Sequence, residues 1–193
     1  ETLMTIKKKR FDELKDAFVK VIVTNKNEPY WFDVFIEQII QSGPADLKVV
    51  GVSTLQVMAQ QAYSLHQQVE VIATIDARMS EVYAGYYQLN EQGIMEPVLN
   101  DTVLAPEKVA EYLSKHLVQG QQVYGVGTGW DAYKNELEAL KINAGTPEIL
   151  FPNAQELLEI GQYYFSQGKA VSAEHAQPVY VRDTVSWKKL PGR

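Results

Sequence analysis

Cysteine is absent from the 193 residues of this sequence, and histidine occurs only three times. Without cysteine there is no disulfide bond, thiolate metal site or cysteine nucleophile. The histidines are too widely spaced for the short ligand motifs of zinc enzymes, and no Gly-x-Ser-x-Gly turn marks a serine hydrolase. The sequence therefore predicts no catalytic residue, no metal site and no cofactor.

Long apolar runs are also missing, since no stretch approaches the ~18 consecutive apolar residues of a membrane span. The basic cluster Lys7–Arg10 is followed by an amphipathic stretch, whereas a secretory signal would continue with an apolar one. These features predict a cytoplasmic protein that does not contact a membrane. The net charge of −6 would repel a phosphate backbone, so nucleic acid is not an expected direct partner.

Apolar residues in the first part of the chain recur at helical spacing. A first set, separated by three or four residues, is typical of one helix face and consists of Phe11, Leu14, Phe18 and Ile22. A second helix is predicted from Tyr30 to about Gln41, before the stop signal Ser42-Gly43-Pro44. We therefore predict that residues 1–48 form an atypical N-terminal segment of two amphipathic helices. We expect them to pack against residues 49–193 or across a homodimer interface.

Residues 49–193 alternate strand and helix patterns and are predicted to form an α/β domain. Three consecutive strands, joined by tight turns at Ala77–Ser80 and Gln92–Gly93, are expected to pair antiparallel. A helix opened by Pro106, a further strand and more helices follow. This order is typical of a ribonuclease-H-like fold with a mixed sheet, as in actin-like and sugar-kinase-like proteins. The predicted strands are Val49–Val52, Val69–Ile75, Val82–Tyr87, Ile94–Leu104 and Gln122–Val126.

Two of the predicted helices begin at cap residues. Ser53 or Thr54 precedes a helix with one apolar face, and Asn153 precedes a helix that reaches Ser166. Short polar side chains at these positions accept hydrogen bonds from the free N–H groups of the first turn.

One candidate ligand-facing site lies where the first strand of the antiparallel set ends. Asp76 and Arg78 occupy the turn there, and in sugar-kinase and actin-like folds an acidic residue at this place faces phosphate or metal. The alternative is a turn carboxylate that accepts hydrogen bonds from nearby backbone N–H groups, with Arg78 as a surface cation. This alternative is favoured, because aspartates in turns commonly bond in this way.

A second candidate is the glycine-rich stretch that follows a predicted strand and precedes a helix. Gly127, Thr128 and Gly129 could let the backbone approach an anion at the helix start. The stretch is neither a Walker A loop nor a full dinucleotide motif. A tight strand-to-helix turn is the favoured alternative. Near the end of the chain, candidate contacts to a partner, or from the tail to its own domain, are Arg182, Trp187, Lys188 and Lys189.

Four separated motifs carry a family resemblance: Gly51–Gln60, Ile75–Tyr83, Gly127–Trp130, and Glu174–Arg182 together with Val185–Gly192. They stand in the same order, and at about the same separations, as in the bacterial TsaB family, also called YeaZ. The sequence is most similar to gammaproteobacterial members. The resemblance covers about residues 49–193.

This resemblance implies an actin-like, ribonuclease-H-like fold and an accessory function. Members of the family are partners of TsaD, the catalytic subunit that forms threonylcarbamoyladenosine at position 37 of tRNAs reading codons that begin with A. TsaE joins the assembly, and TsaC supplies the activated intermediate. The resemblance therefore implies a non-catalytic partner of TsaD, a possible homodimer, and contact with tRNA only through the assembly.

The first 48 residues depart from the family pattern. A member should begin with a strand ending in Asp-Thr-Ala-Thr and should carry a Gly-Arg-Gly-Pro-Gly-Ser-Phe-Thr-Gly-type loop before Gly51. Neither is present. The second hypothesis is a small nucleotide- or ligand-binding phosphotransfer enzyme of the actin-like superfamily, using Asp76 and the Gly127–Gly129 loop. Such a site should need phosphate loops from both halves of the fold, and only one half is recognisable, so the accessory function is favoured.

Overall fold

The protein forms two β-sheets with helices packed on them, in a computed structural model that describes residues 18–23, 34, 37–43, 46–117, 123–137, 140 and 148–182. The strands are β1 (Phe18–Val23), β2 (Asp46–Gly51), β3 (Glu70–Asp76), β4 (Val82–Leu89), β5 (Met95–Leu104), β6 (Tyr124–Val126) and β7 (Val171–Ser172). The helices are α1 (residues 37–41), α2 (Thr54–His66), α3 (Pro106–Ser114), α4 (Gly129–Ala132), α5 (Lys134–Leu137) and α6 (Ala154–Ser166), and a 3₁₀ turn covers Ala173–His175.

The smaller sheet has the order β1-β2-β7. β1 runs parallel to β2, from the pair Phe18↔Asp46 to the pair Val23↔Gly51, and β7 pairs with the opposite edge of β2 in the antiparallel sense. β2 spans both sides of the predicted boundary between residues 48 and 49. The division of the chain into two units at that boundary stays a prediction.

The predicted helix carrying Phe18 and Ile22 is wrong over residues 18–23, which form β1. The segment reads Phe-Val-Lys-Val-Ile-Val, and four β-branched residues in six favour a strand over a helix. The backbone groups of β2 also need a neighbour, and a strand supplies one whereas a helix uses its own groups internally. Phe11 and Leu14 lie outside the described residues. The second predicted helix agrees with the structure over residues 37–41.

The larger sheet has the order β5-β4-β3-β6 and confirms the predicted mixed, ribonuclease-H-like topology. β3 and β4 are antiparallel, from Glu70↔Gln88 to Asp76↔Val82, and β4 and β5 are antiparallel as well. β6 joins the free edge of β3 in the parallel sense. This sheet carries helices on both faces, which divide its core into two layers.

Helix α2 covers one face of the larger sheet, and helices α3 to α5 cover the other. Because side chains alternate along β3, its Val71 and Ala73 pack with Met58 of α2, whereas Ile72 packs with Val109 of α3. Helix α6 packs on the outer side of α2. Within the described ranges, no helix is both long and apolar enough to cross a membrane.

Candidate functional site

The five residues predicted to face a ligand lie close together at the ends of β3 and β6. Oδ1 of Asp76 accepts hydrogen bonds from the Arg78 N–H at 3.0 Å and from the Tyr133 hydroxyl at 3.1 Å. The Asp76 N–H donates to Oγ1 of Thr128 at 3.2 Å, which links the turn to the glycine loop. The arrangement has the geometry of a turn carboxylate, and the Arg78 side chain is exposed. A ligand-facing role for these residues stays a prediction.

The two glycines of this loop lie directly against β3. Gly127 has a φ of +99°, and a Cβ atom there would overlap the carbonyl oxygen of Thr74 and lie 2.7 Å from Cε of Met58. A Cβ atom on Gly129 would lie 2.6 Å from Oγ1 of Thr74. Both glycines therefore give room to the neighbouring strand and helix. Close packing of the loop on β3 is sufficient to require glycine at both positions.

Sequence reasoning missed a cleft of about 1040 Å³, which opens between the start of α2, the β4–β5 pair and residues 169–182. Its volume is at the upper end of the roughly 300–1,000 Å³ that is usual for small-molecule sites. Aliphatic and tyrosine side chains form most of its lining. Its polar wall residues include Ser53, Thr54 and Gln56 at the start of α2 and Asn100 and Asp101 on β5.

Three side chains from three different elements meet in the wall of this cleft. The hydroxyls of Ser53 and Tyr87 each donate a hydrogen bond to one carboxylate oxygen of Asp101, Ser53 to Oδ2 and Tyr87 to Oδ1. The two hydroxyl oxygens are 3.3 Å apart. Ser53 is also the cap of α2, since its Oγ accepts hydrogen bonds from the N–H groups of Leu55 and Gln56. We call Ser53, Tyr87 and Asp101 the carboxylate cluster.

Irregular pairing of β4 with β5 brings Asp101 into this position. The register changes between Ala84 and Tyr86 and again between Tyr86 and Tyr87, and each shift places an extra residue on β5. Such bulges re-aim the side chains that follow. Gly85 leaves the space that the cluster fills, because a Cβ atom there would lie 2.5 Å from Oδ1 of Asp101 and 2.8 Å from the Tyr87 hydroxyl.

Burial dominates the electrostatics of the carboxylate cluster. Desolvation raises the pKa of the Asp101 carboxyl, although the hydrogen bonds from Ser53 and Tyr87 act in the opposite direction. Burial, followed by the negative charge of Asp101, raises the pKa of the Tyr87 hydroxyl well above its ordinary value. The cluster therefore holds a carboxylate whose charged form is disfavoured by its surroundings, a feature typical of functional sites.

The extended segment that borders the cleft is tied to the β3–β4 turn. Nη2 of Arg182 lies 2.5 Å from Oε2 of Glu81, and the Arg182 guanidinium is 5.7 Å from the ring centre of Tyr83. Arg182 thus makes a contact from the tail to its own domain. The other predicted tail residues lie outside the described residues: Trp187, Lys188 and Lys189. In the part of the chain that the structure describes, no group of three or more acidic or histidine side chains could hold a metal ion.

One sequence signal pointed to Asp101 without identifying its partners. Aspartate and asparagine are depleted in strands, yet Asn100 and Asp101 stand inside the predicted strand Ile94–Leu104. This departure from strand composition is a signal that was not used in the sequence analysis. Ser53 lies 48 residues earlier, and no local pattern relates it to Asp101.

Comparison with known proteins finds one family model that matches most of the chain. Its description is "TsaD: tRNA N6-adenosine threonylcarbamoyltransferase", and it matches residues 42–189. Two curated relatives share the name tRNA threonylcarbamoyladenosine biosynthesis protein TsaB. The protein from Escherichia coli K12 is 43% identical over 149 residues, and that from Haemophilus influenzae is 37% identical over 158 residues. Each match covers 77% of this chain and 63% of the relative, so the chain spans less than two thirds of their length.

Two solved structures from Pseudomonas aeruginosa are similar in fold. One is described as an uncharacterized protein with similarity to peptidase YEAZ; it has a TM-score of 0.65 and 29% identity, and the match covers 84% of this chain and 73% of that one. The other, described as YeaZ, has a TM-score of 0.64 and 29% identity, with 83% and 74% coverage.

Replacing Gly127 by alanine should lower the free energy of unfolding by roughly 2–5 kcal/mol, because it introduces both a strained φ and a clash with β3. Gly51→Ala is the matched control, since a Cβ atom there meets nothing within 4 Å, and it should change stability by no more than about 0.5 kcal/mol. Urea denaturation of the three proteins measures both effects. Equal stabilities for the two variants would contradict the packing explanation.

The stability contributed by Asp101 should decrease as pH rises. Because burial raises its folded-state pKa above the ordinary 3.8, the contribution is fully present below that value and is lost as pH rises through the folded-state pKa. The free energy of unfolding of the wild type relative to Asp101→Asn should therefore fall over this interval and then level off. Denaturation at a series of pH values measures it, and Asp131→Asn, at an exposed position, controls for the loss of one charge. A difference that rises with pH would refute the assignment.

Proposed function

Because the chain belongs to the TsaB (YeaZ) family, we propose that it takes part in forming threonylcarbamoyladenosine in tRNA, as a non-catalytic partner of TsaD. The observation that carries this proposal is the match over residues 42–189, which includes the whole larger sheet and α2. The names of the curated relatives support the pathway. Since the chain spans only 63% of these relatives, the role of the whole protein is part of the proposal.

The local geometry supports an accessory role over a phosphotransfer reaction at the glycine loop. Gly127 and Gly129 face Thr74, so their missing side chains make room for protein and not for a phosphate. Oδ1 of Asp76 is already bonded to the Arg78 N–H and the Tyr133 hydroxyl. A nucleotide that used this oxygen would have to displace these contacts.

We further propose that the chain acts in the cytoplasm. In this proposal it is joined to TsaE through TsaD, and it contacts tRNA only through the assembly that these proteins form. The net charge of −6 supports an indirect contact between the chain and tRNA, because a protein that binds a phosphate backbone directly needs a surplus of Lys and Arg. A homodimer would be compatible with the same role.

The proposal predicts that the full chain forms a direct complex with TsaD. TsaD from Escherichia coli is a suitable partner for this test. Sedimentation velocity at micromolar concentration should detect the complex. Because Trp187 and Lys188 are candidate partner contacts, the double variant Trp187→Ala/Lys188→Ala should weaken binding about tenfold, equivalent to about 1.4 kcal/mol. Lys108→Ala, at an exposed position on α3, is the control and should bind like the wild type.

Absence of any complex at micromolar concentration would contradict the partner role for this chain. The competing phosphotransfer hypothesis has its own readout, which is ATP hydrolysis by the isolated chain. We expect no turnover above background. Turnover that Asp76→Ala abolishes would favour the enzyme over the partner.

A further inference from the structure

The carboxylate cluster places a negative charge in the wall of the cleft, and no described side chain forms an ion pair with it. Among the described residues, no Lys, Arg or His lies within ion-pair distance of Asp101. The lysine and the arginine that line the cleft make contacts elsewhere, and Nδ1 of the third basic residue, His175, lies 2.8 Å from Oγ of Ser172. Nζ of Lys169 lies 4.0 Å from the ring centre of Tyr164, and Arg182 pairs with Glu81. A desolvated charge without a counter-charge is unfavourable, so its presence calls for an explanation.

The position of Asp101 leaves it able to accept more hydrogen bonds. An ionised carboxylate offers about four acceptor sites, and the hydroxyls of Ser53 and Tyr87 use one on each oxygen. These two donors also fix the orientation of the carboxylate, so it is held in place before any ligand arrives. Gly85 has no Cβ atom, and the side chains of Asp101 and Tyr87 occupy the space this leaves on the β4 side.

The rest of the cleft lining suits a flat apolar group. Tyrosine side chains come from β4 and from α6, and aliphatic side chains come from β2, β3 and β5. Rings present π-faces to a planar ligand and also attract positive charge. The lining residues that supply these surfaces are Val49, Ile75, Tyr83, Pro97 and Tyr164.

We propose that this cleft binds a small organic cation, a protonated amine carried on a flat apolar body, with the nitrogen against the carboxylate of Asp101. The ammonium group donates to the unused acceptor sites of the carboxylate and supplies the missing counter-charge. The ring of the ligand lies against the tyrosine and aliphatic walls. This site does not depend on the proposed partnership with TsaD, and it is tested in the absence of TsaD.

Two probes that differ only in the amine separate charge recognition from simple apolar binding. Tyramine carries an aminoethyl group on a phenol, and 4-ethylphenol has the same ring and carbon chain without the amine. Titration of the full chain, followed by protein NMR chemical shifts, should show tyramine binding in the millimolar range or tighter and at least tenfold tighter than 4-ethylphenol. Asp101→Asn should remove this preference, whereas Asp131→Asn, the exposed control, should keep it.

The pH dependence of tyramine binding to the wild type is a second measurement, which needs no variant. The titratable groups that face Asp101 are Tyr87 on β4, Tyr112 on α3 and Tyr164 on α6, and burial raises the pKa of all three. Their pKa values lie above the ordinary 10.0 of tyrosine, so all three hydroxyls stay neutral while Asp101 ionises. Affinity should therefore rise as Asp101 loses its proton.

Three results would overturn the proposal. One is equal affinity of the wild type for tyramine and 4-ethylphenol. Another is a preference for tyramine that persists in Asp101→Asn. The third is tyramine affinity that does not change across the interval in which Asp101 ionises. In each case the carboxylate cluster would be a structural link between α2 and β5 only.

Discussion

Two buried glutamines on α2 connect the parts of this structure. Gln60 binds the start of β5 twice, because its Nε2 donates to the Gly93 carbonyl at 2.9 Å and its Oε1 accepts from the Met95 N–H at 2.8 Å. One turn earlier, Nε2 of Gln56 lies 2.8 Å from both the Met95 carbonyl and the hydroxyl of Tyr164 on α6. Both glutamines are almost fully buried, so each backbone group left unpaired would cost about 1–3 kcal/mol.

The position of the cleft follows from these contacts. Gln56 and Gln60 fix α2 against the start of β5. As a result Ser53, the cap of α2, lies opposite Asp101, which is further along β5. The same helix places Met58 beside Gly127, so the glycine loop and the carboxylate cluster both depend on where α2 sits. The family relationship and the cleft chemistry therefore concern the same part of the molecule, although they support separate proposals.

Local sequence patterns were sufficient to predict the strands of the larger sheet, but they were insufficient to predict the cleft. A cap at Ser53 or Thr54 was predicted, and the structure has it at Ser53. The order of three antiparallel strands was predicted from alternation and turns. Both predictions succeeded because these signals act over a few residues. The pairing of β1 with β2 was missed, because Phe18 and Ile22 also fit a helical period and the strand partner lies more than twenty residues away. Asp101 was missed because two bulges in β5 break the alternation from which its direction would be inferred. Ser53, Tyr87 and Asp101 become neighbours only in the tertiary fold.

Native-state hydrogen exchange at the Met95 N–H tests the anchoring of β5 by α2 most directly. In the wild type this amide should exchange only through global unfolding, as the Ile72 amide in the centre of the larger sheet is expected to do. In Gln60→Leu it should exchange roughly 10- to 100-fold faster than the Ile72 amide of the same variant, since it loses a contribution of about 1–3 kcal/mol. Exchange of Met95 by local opening in the wild type, or equal protection of the two amides in Gln60→Leu, would contradict the account.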